Sequence, residues 1–120
     1  MDKFIAKYDS EEDVLSIYTK NAKVKESIEV AETLVIDIDK NRNLVNLELF
    51  DAYKFLSLSN KKITKKMLES IGEVKLDFKQ IRNYWIIIIF FKYNEELITE
   101  KLPAFVSNDF KSPLVASVSA

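Results

Sequence analysis

The segment Trp85-Ile86-Ile87-Ile88-Ile89-Phe90-Phe91 carries no polar side chain, so both faces of whatever it forms must be kept from water. Counted from Tyr84, the apolar run is eight residues long, far short of the about 20 that a helix needs to cross a bilayer. Its β-branched and aromatic composition marks it as a strand. A strand apolar on both sides is either covered twice by its own chain or covered once by another chain. Left bare, it would be an aggregation hazard.

The chain offers few conventional breaks around this strand. It has one glycine and two prolines in 120 residues, so its turns must be read from Asn, Asp and Ser clusters. Phe4 to Tyr8 predicts a first strand, closed by Asp9-Ser10-Glu11-Glu12-Asp13. Val14 to Tyr18 alternates, with Leu15 and Ile17 on one side. Ser27 to Val30 and Thr33 to Ile38 follow, and Leu44 to Phe50 returns after the turn Asp39-Lys40-Asn41-Arg42-Asn43. Together these predict a β-meander. Asp51 to Leu56 reads as a helical turn capped by Asp51. A helix is predicted over 63–71, with Asn60 capping its start and the lone Gly72 ending it in a left-handed conformation. Glu73 to Lys79, Tyr84 to Tyr93 and Leu97 to Leu102 complete the strands, with Pro103 as a stop. Residues 107–120 read as a loose tail, and Leu114 to Val118 could add an edge strand.

Composition removes several chemistries. There is no cysteine and no histidine, hence no disulfide, thiol nucleophile, Cys/His zinc site or histidine general base. The first residues lack the apolar core of a signal peptide, so a cytoplasmic location is the expectation. Charge is unevenly placed: residues 1–58 hold 8 Lys+Arg against 12 Asp+Glu, and residues 59–120 hold 10 against 7.

Residues 4–52 resemble a family of small β-rich proteins, domain of unknown function 2283. The resemblance is carried by Tyr8-Asp9-x-Glu11-x-Asp13-x-Leu15-x-Ile17, by Glu29, and by Leu34-Val35-Ile36-Asp37-Ile38-Asp39. It closes with Leu44-Val45-x-Leu47-Glu48-Leu49-x-Asp51-Ala52. Two positions depart from the family pattern, which has glycine where this chain has Arg42 and Asn46. A left-handed residue in that turn is therefore expected at Asn41 or Asn43. The family normally ends near Asp51-Ala52, so the resemblance is silent on 59–120. Some members are encoded beside small toxin-like proteins, which implies an antitoxin role.

Three constellations invite a functional reading. The acidic turn of Asp9, Glu11, Glu12 and Asp13 looks like a cation loop, but it lacks a sharp-turn glycine, and turn-forming side-chain bonds explain it better. Asp37 and Asp39 are two strand rises apart, roughly 7 Å; solvent exposure and turn formation account for both. Lys61, Lys62, Lys65, Lys66, Lys75, Lys79 and Arg82, followed by Tyr84 and Trp85, could track a nucleic-acid backbone. Glu69, Glu73 and Asp77 interrupt that stretch, which favours a solvated face.

The expectation is a single β-rich α+β domain over 1–120: an antiparallel sheet or incomplete barrel of about seven strands with one packed helix. Residues 58–62 are its internal joint. The function expected is that of a non-enzymatic interaction module, a homodimer or a binder of a protein partner such as a toxin, with no cofactor. Trp85, Ile87, Ile89 and Phe91 are the candidate interface. A nucleic-acid binder using the basic second half is the alternative, with a metal-dependent hydrolase third.

Overall fold

A computed structural model describes residues 4–30 and 32–102, together with the backbone of 105–106. Five strands form the meander: β1 (Phe4–Asp9), β2 (Val14–Thr19), β3 (Glu26–Val30), β4 (Leu34–Ile38) and β5 (Leu44–Phe50). Two short helices follow, α1 (Ala52–Ser59) and α2 (Lys65–Glu69). The chain then returns as β6 (Val74–Ile81), β7 (Tyr84–Tyr93), β8 (Glu96–Lys101) and β9 (Phe105–Val106). The strand order is β3-β4-β5-β2-β1-β6-β7-β8, with β9 pairing beside β7, and every pairing is antiparallel. The sheet curls into a half-barrel.

Period-two alternation decides which side of each strand turns inward. Leu15 and Ile17, Leu34, Ile36 and Ile38, Leu47 and Leu49, and Leu76 are all buried. They join Trp85, Ile87, Ile89 and Phe91 of β7 in one core. Helix α1 adds Ala52 and Leu56, while α2 and the residues before it add Ile63, Met67 and Leu68. The two halves of the sheet meet narrowly: among the described residues β1 and β6 pair at Phe4 and Val74. Among the described residues, side chains and not a long ladder hold the halves together.

With one glycine available, ordinary residues occupy the left-handed positions of the turns. Positive φ occurs at Asp13, Asn21, Arg42, Asp51, Arg82, Asn94 and Glu95. Asn94 and Glu95 form the two-residue link between β7 and β8, both with positive φ, as hairpin twist requires. The left-handed residue of the β4–β5 turn is Arg42, φ 66°, not Asn41 or Asn43. Asp39 organises that turn by accepting from the backbone N–H of Asn41 and Asn43 at 2.8 and 2.9 Å. The Arg42 side chain reaches across to Gln80 Oε1 at 3.0 Å and to Glu26 at 3.4 Å.

Several boundaries differ from the sequence expectation. Among the described residues there are nine strands and two helices, because β9 forms beyond the Pro103 stop and the turn at Asp51 extends into a full helix. Thr64, not Asn60, caps α2, its hydroxyl accepting from Met67 N–H at 3.1 Å. Asn60 instead ends α1, and its Oδ1 accepts from Lys62 N–H. Gly72 has no positive φ; α2 stops at Ser70, and Gly72 N–H donates to Lys92 O at 2.9 Å. The expected tail at 107–120 and edge strand at Leu114 to Val118 lie outside the described residues.

Candidate functional site

The acidic turn between β1 and β2 is built as a clasp. Asp9 Oδ1 accepts from the backbone N–H groups of Glu11 and Glu12 at 3.0 and 3.1 Å, the side-chain turn that Asp favours. Asp13 accepts from the Tyr8 hydroxyl at 2.6 Å, from Tyr53 N–H at 2.8 Å and from Lys54 N–H at 3.4 Å. The last two are first-turn donors of α1, which the helix itself cannot satisfy. Asp51 sits at the N-cap position in a left-handed conformation with no side-chain cap bond, so Asp13 caps the helix from another turn. Burial works to raise the Asp13 carboxyl. The hydrogen bonds from Tyr8, Tyr53 and Lys54 and the charge of Lys65 hold it below its ordinary 3.8. The Tyr8 hydroxyl is pushed far up, by burial first, then by its bond to Asp13 and the neighbouring carboxylates.

Asp37 and Asp39 do separate jobs. Asp37 accepts from Ser27 Oγ at 2.6 Å and from Asn46 Nδ2 at 3.0 Å, tying three strands together on the outer side of the meander. Asp39 faces its own turn. The Asn43 N–H holds its carboxyl below 3.8 against the opposing effect of desolvation, helped by the Asn41 N–H.

The seven basic residues of the candidate patch are all exposed but do not gather. Lys61, Lys62, Lys65 and Lys66 surround α2, where Lys65 Nζ lies 5.9 Å over the Tyr53 ring and donates to Ser10 O. Lys75 and Lys79 stand on the outward side of β6 with Asp77 between them, and Arg82 is in the β6–β7 turn. The sequence brings these residues together; the fold divides them between a helix and a strand.

Strand β7 carries the decisive asymmetry. Trp85, Ile87, Ile89 and Phe91, the face that the sequence offered for sharing, are 0–1% exposed within the chain's own core. They are not available to a partner. The other face carries Tyr84, Ile86, Ile88 and Phe90, of which the last three are half-buried. Register extends that outward face across the neighbouring strands. On β6, Lys75, Asp77, Lys79 and Ile81 stand opposite Phe90, Ile88, Ile86 and Tyr84. On β8, Leu97, Thr99 and Lys101 stand opposite Lys92, Phe90 and Ile88. Ile81, Tyr84 and Leu97 are 49%, 51% and 60% exposed. Six apolar side chains therefore share one open sheet face, with lysines along both flanks. A shallow cavity of about 310 Å³ lies at one end, lined by Glu73, Val74, Lys75, Phe90, Lys92 and Leu97.

Sequence reading missed this face because an apolar run on both sides of a strand does not say which side turns inward. The signal lay in the neighbours: β6 alternates Val74, Leu76 and Phe78 against Lys75, Asp77 and Lys79, and register transfers that polarity to β7. Two inward polar groups also stand out. Glu100 is 6% exposed and accepts from Ser59 Oγ at 3.0 Å. Trp85 Nε1 is buried with no hydrogen-bond partner among the described residues.

Residues 6–52 match the family described as protein of unknown function (DUF2283). The matched stretch runs from the third residue of β1 through β5 to the first residue of α1, and Asp13, the cap of α1, lies inside it. An uncharacterized protein of Methanocaldococcus jannaschii is 26% identical over 97 residues, covering 79% of this chain and 80% of that protein. An alignment of that length cannot fit inside residues 6–52, so the likeness continues into the helices and later strands. No solved structure matches the chain. No helix among the described residues is long and apolar enough to cross a membrane.

Proposed function

We propose that the protein is a non-enzymatic interaction module that docks through the outward face of β6, β7 and β8, and that the occupant is a second copy of the chain. The observation that carries this is the open row of Ile81, Tyr84, Ile86, Ile88, Phe90 and Leu97 on one sheet face. Contiguous apolar surface of this kind marks interaction sites. A second copy is favoured because the charges flanking the row are mixed and complement one another across a symmetric contact. Nucleic acid suits the face less well: Tyr84 and Phe90 are six residues apart on β7, about 20 Å along a strand, too far for adjacent bases to stack on both. A small toxin-like protein is the partner that the family resemblance implies, and it would compete for the same row.

Sedimentation velocity over a concentration series tests the reading. Wild type should shift from monomer to dimer, and Ile88→Asp should stay monomeric with an unchanged circular dichroism spectrum. Glu48→Lys, on the outer side of the meander, should dimerise like wild type. A wild type that is monomeric at high micromolar concentration would overturn the self-docking reading.

A further inference from the structure

The face has a charge pattern that selects one way for two copies to meet. Asp77, Ile88 and Lys101 lie in a single line across β6, β7 and β8, because Ile88 pairs with Asp77 on one side and Lys101 on the other. All three point outward, and Asp77 and Lys101 are exposed. The next line along is Lys75, Phe90 and Thr99. The line after that is Lys92 and Leu97 beside Glu73, which holds Lys92 at 3.8 Å.

Resting on the docking face proposed above, we infer that the dimer is built on a two-fold axis running parallel to β7, midway between two facing sheets. A half turn about that axis keeps Ile88 over the partner's Ile88 and exchanges left for right. Asp77 of each copy then faces Lys101 of the other, so one apolar contact is flanked by two identical ion pairs. Lys75 faces Thr99, and Glu73 faces Leu97. No like charges meet along the first two lines; on the third, Lys92 faces the partner's Lys92, each beside its own Glu73 at 3.8 Å. The other face-to-face arrangement, with the axis perpendicular to the strands and centred on the same line, sets Asp77 against Asp77 and Lys101 against Lys101. Like charges placed opposite each other suppress a pairing more strongly than matched rim charges support one. Aligned packing of two twisted sheets tolerates the geometry, with the strands of the facing sheets turned by about 30°.

The area sets the strength. Three strands about 4.8 Å apart and roughly eight residues long cover a few hundred Å² per copy, against about 800 Å² for a standard stable interface. The dimer is therefore a weak, concentration-dependent one, and its charges decide orientation more than affinity.

Charge exchange in the full-length protein tests the arrangement. Asp77→Lys alone and Lys101→Asp alone each place two like pairs across the axis, and each should raise the dimer dissociation constant by about tenfold or more. The double variant Asp77→Lys/Lys101→Asp restores both opposite pairs and should return to within about threefold of wild type. Mixing the two single variants should give a heterodimer tighter than either homodimer, since each mixed pair is again Lys against Asp. If wild type dimerises and Ile88→Asp abolishes it, yet the single reversals do not weaken it or the double and mixed samples do not recover, the axis is wrong while the docking face stands. If wild type does not dimerise, both fall together.

Discussion

Asp13 Oδ1 and the backbone N–H of Tyr53 are 2.8 Å apart across forty residues of chain. That bond fastens the β1–β2 turn to the start of α1, a helix whose own N-cap residue makes no side-chain bond. Replacing a capping side chain by Ala costs about 0.5–2 kcal/mol, and here the same carboxylate also serves Tyr8. Asp13→Ala should therefore lose about 2 kcal/mol of unfolding free energy, the upper end of that range. Tyr8→Phe, which removes one neutral donor, should lose about 1 kcal/mol. Urea unfolding of the two variants measures both, and equal losses would contradict the central place of the carboxylate.

The same cluster sets two limits of pH. Asp13 in the folded chain lies below its ordinary 3.8, so its stabilisation is complete above the unfolded value and is lost as pH falls through the folded one. The melting gap between wild type and Asp13→Asn should hold constant near neutrality and close only below about pH 4. Tyr8 is shifted the other way, upward from 10.0. Its contribution is complete below 10.0 and is lost as pH rises beyond that value. The gap between wild type and Tyr8→Phe should narrow only on the alkaline side.

Neighbouring isoleucines on β7 should behave in opposite ways. Ile87 is 0% exposed and Ile88 is half-buried on the outward face. An unpaired carboxylate placed in the core is among the changes that cost more than about 4 kcal/mol, so Ile87→Asp should be unfolded or insoluble. Ile88→Asp should remain folded, with a thermal midpoint close to wild type. Expression, solubility and a thermal melt of the pair are enough, and a folded Ile87→Asp would reverse the assignment of faces.

Glu95 holds φ 68° in the β7–β8 link, where a left-handed L-residue pays roughly 1–2 kcal/mol. Glycine relieves that strain but loses more freedom on folding, so Glu95→Gly should gain about 0.5–1 kcal/mol. Arg42→Gly removes similar strain at φ 66°, yet it also removes the bonds to Gln80 and Glu26. It should gain nothing. Thermal melts of the two variants side by side separate backbone relief from side-chain loss.

Much of the fold was legible because side-chain alternation has a fixed period. Leu15 and Ile17, or Leu34, Ile36 and Ile38, announce a buried side without any knowledge of their partners. The runs Leu44–Phe50 and Tyr84–Tyr93 were read to the residue. What local pattern does not carry is who answers whom. Asp51 sits where a cap belongs, yet Asp13 performs the capping. Arg42 takes a conformation that side-chain sterics disfavour because Asp39 shapes the turn around it and Gln80 receives its guanidinium. The face of β7 was ambiguous for the same reason: the strand is apolar twice over, and only pairing with Lys75, Asp77 and Lys79 tells inside from outside.

The narrow seam between β1 and β6 carries a wider implication. A chain that stopped after Ala52 would keep every pairing among β1 to β5. It would nevertheless strip Leu15, Ile17, Ile36 and Leu47 of much of their cover, since the rest of the core comes from the two helices and from β6, β7 and β8. The second half thus supplies, within one polypeptide, the apolar cover that β1 to β5 lack on their own. The same three strands thus close the core with one face and present the proposed docking row with the other.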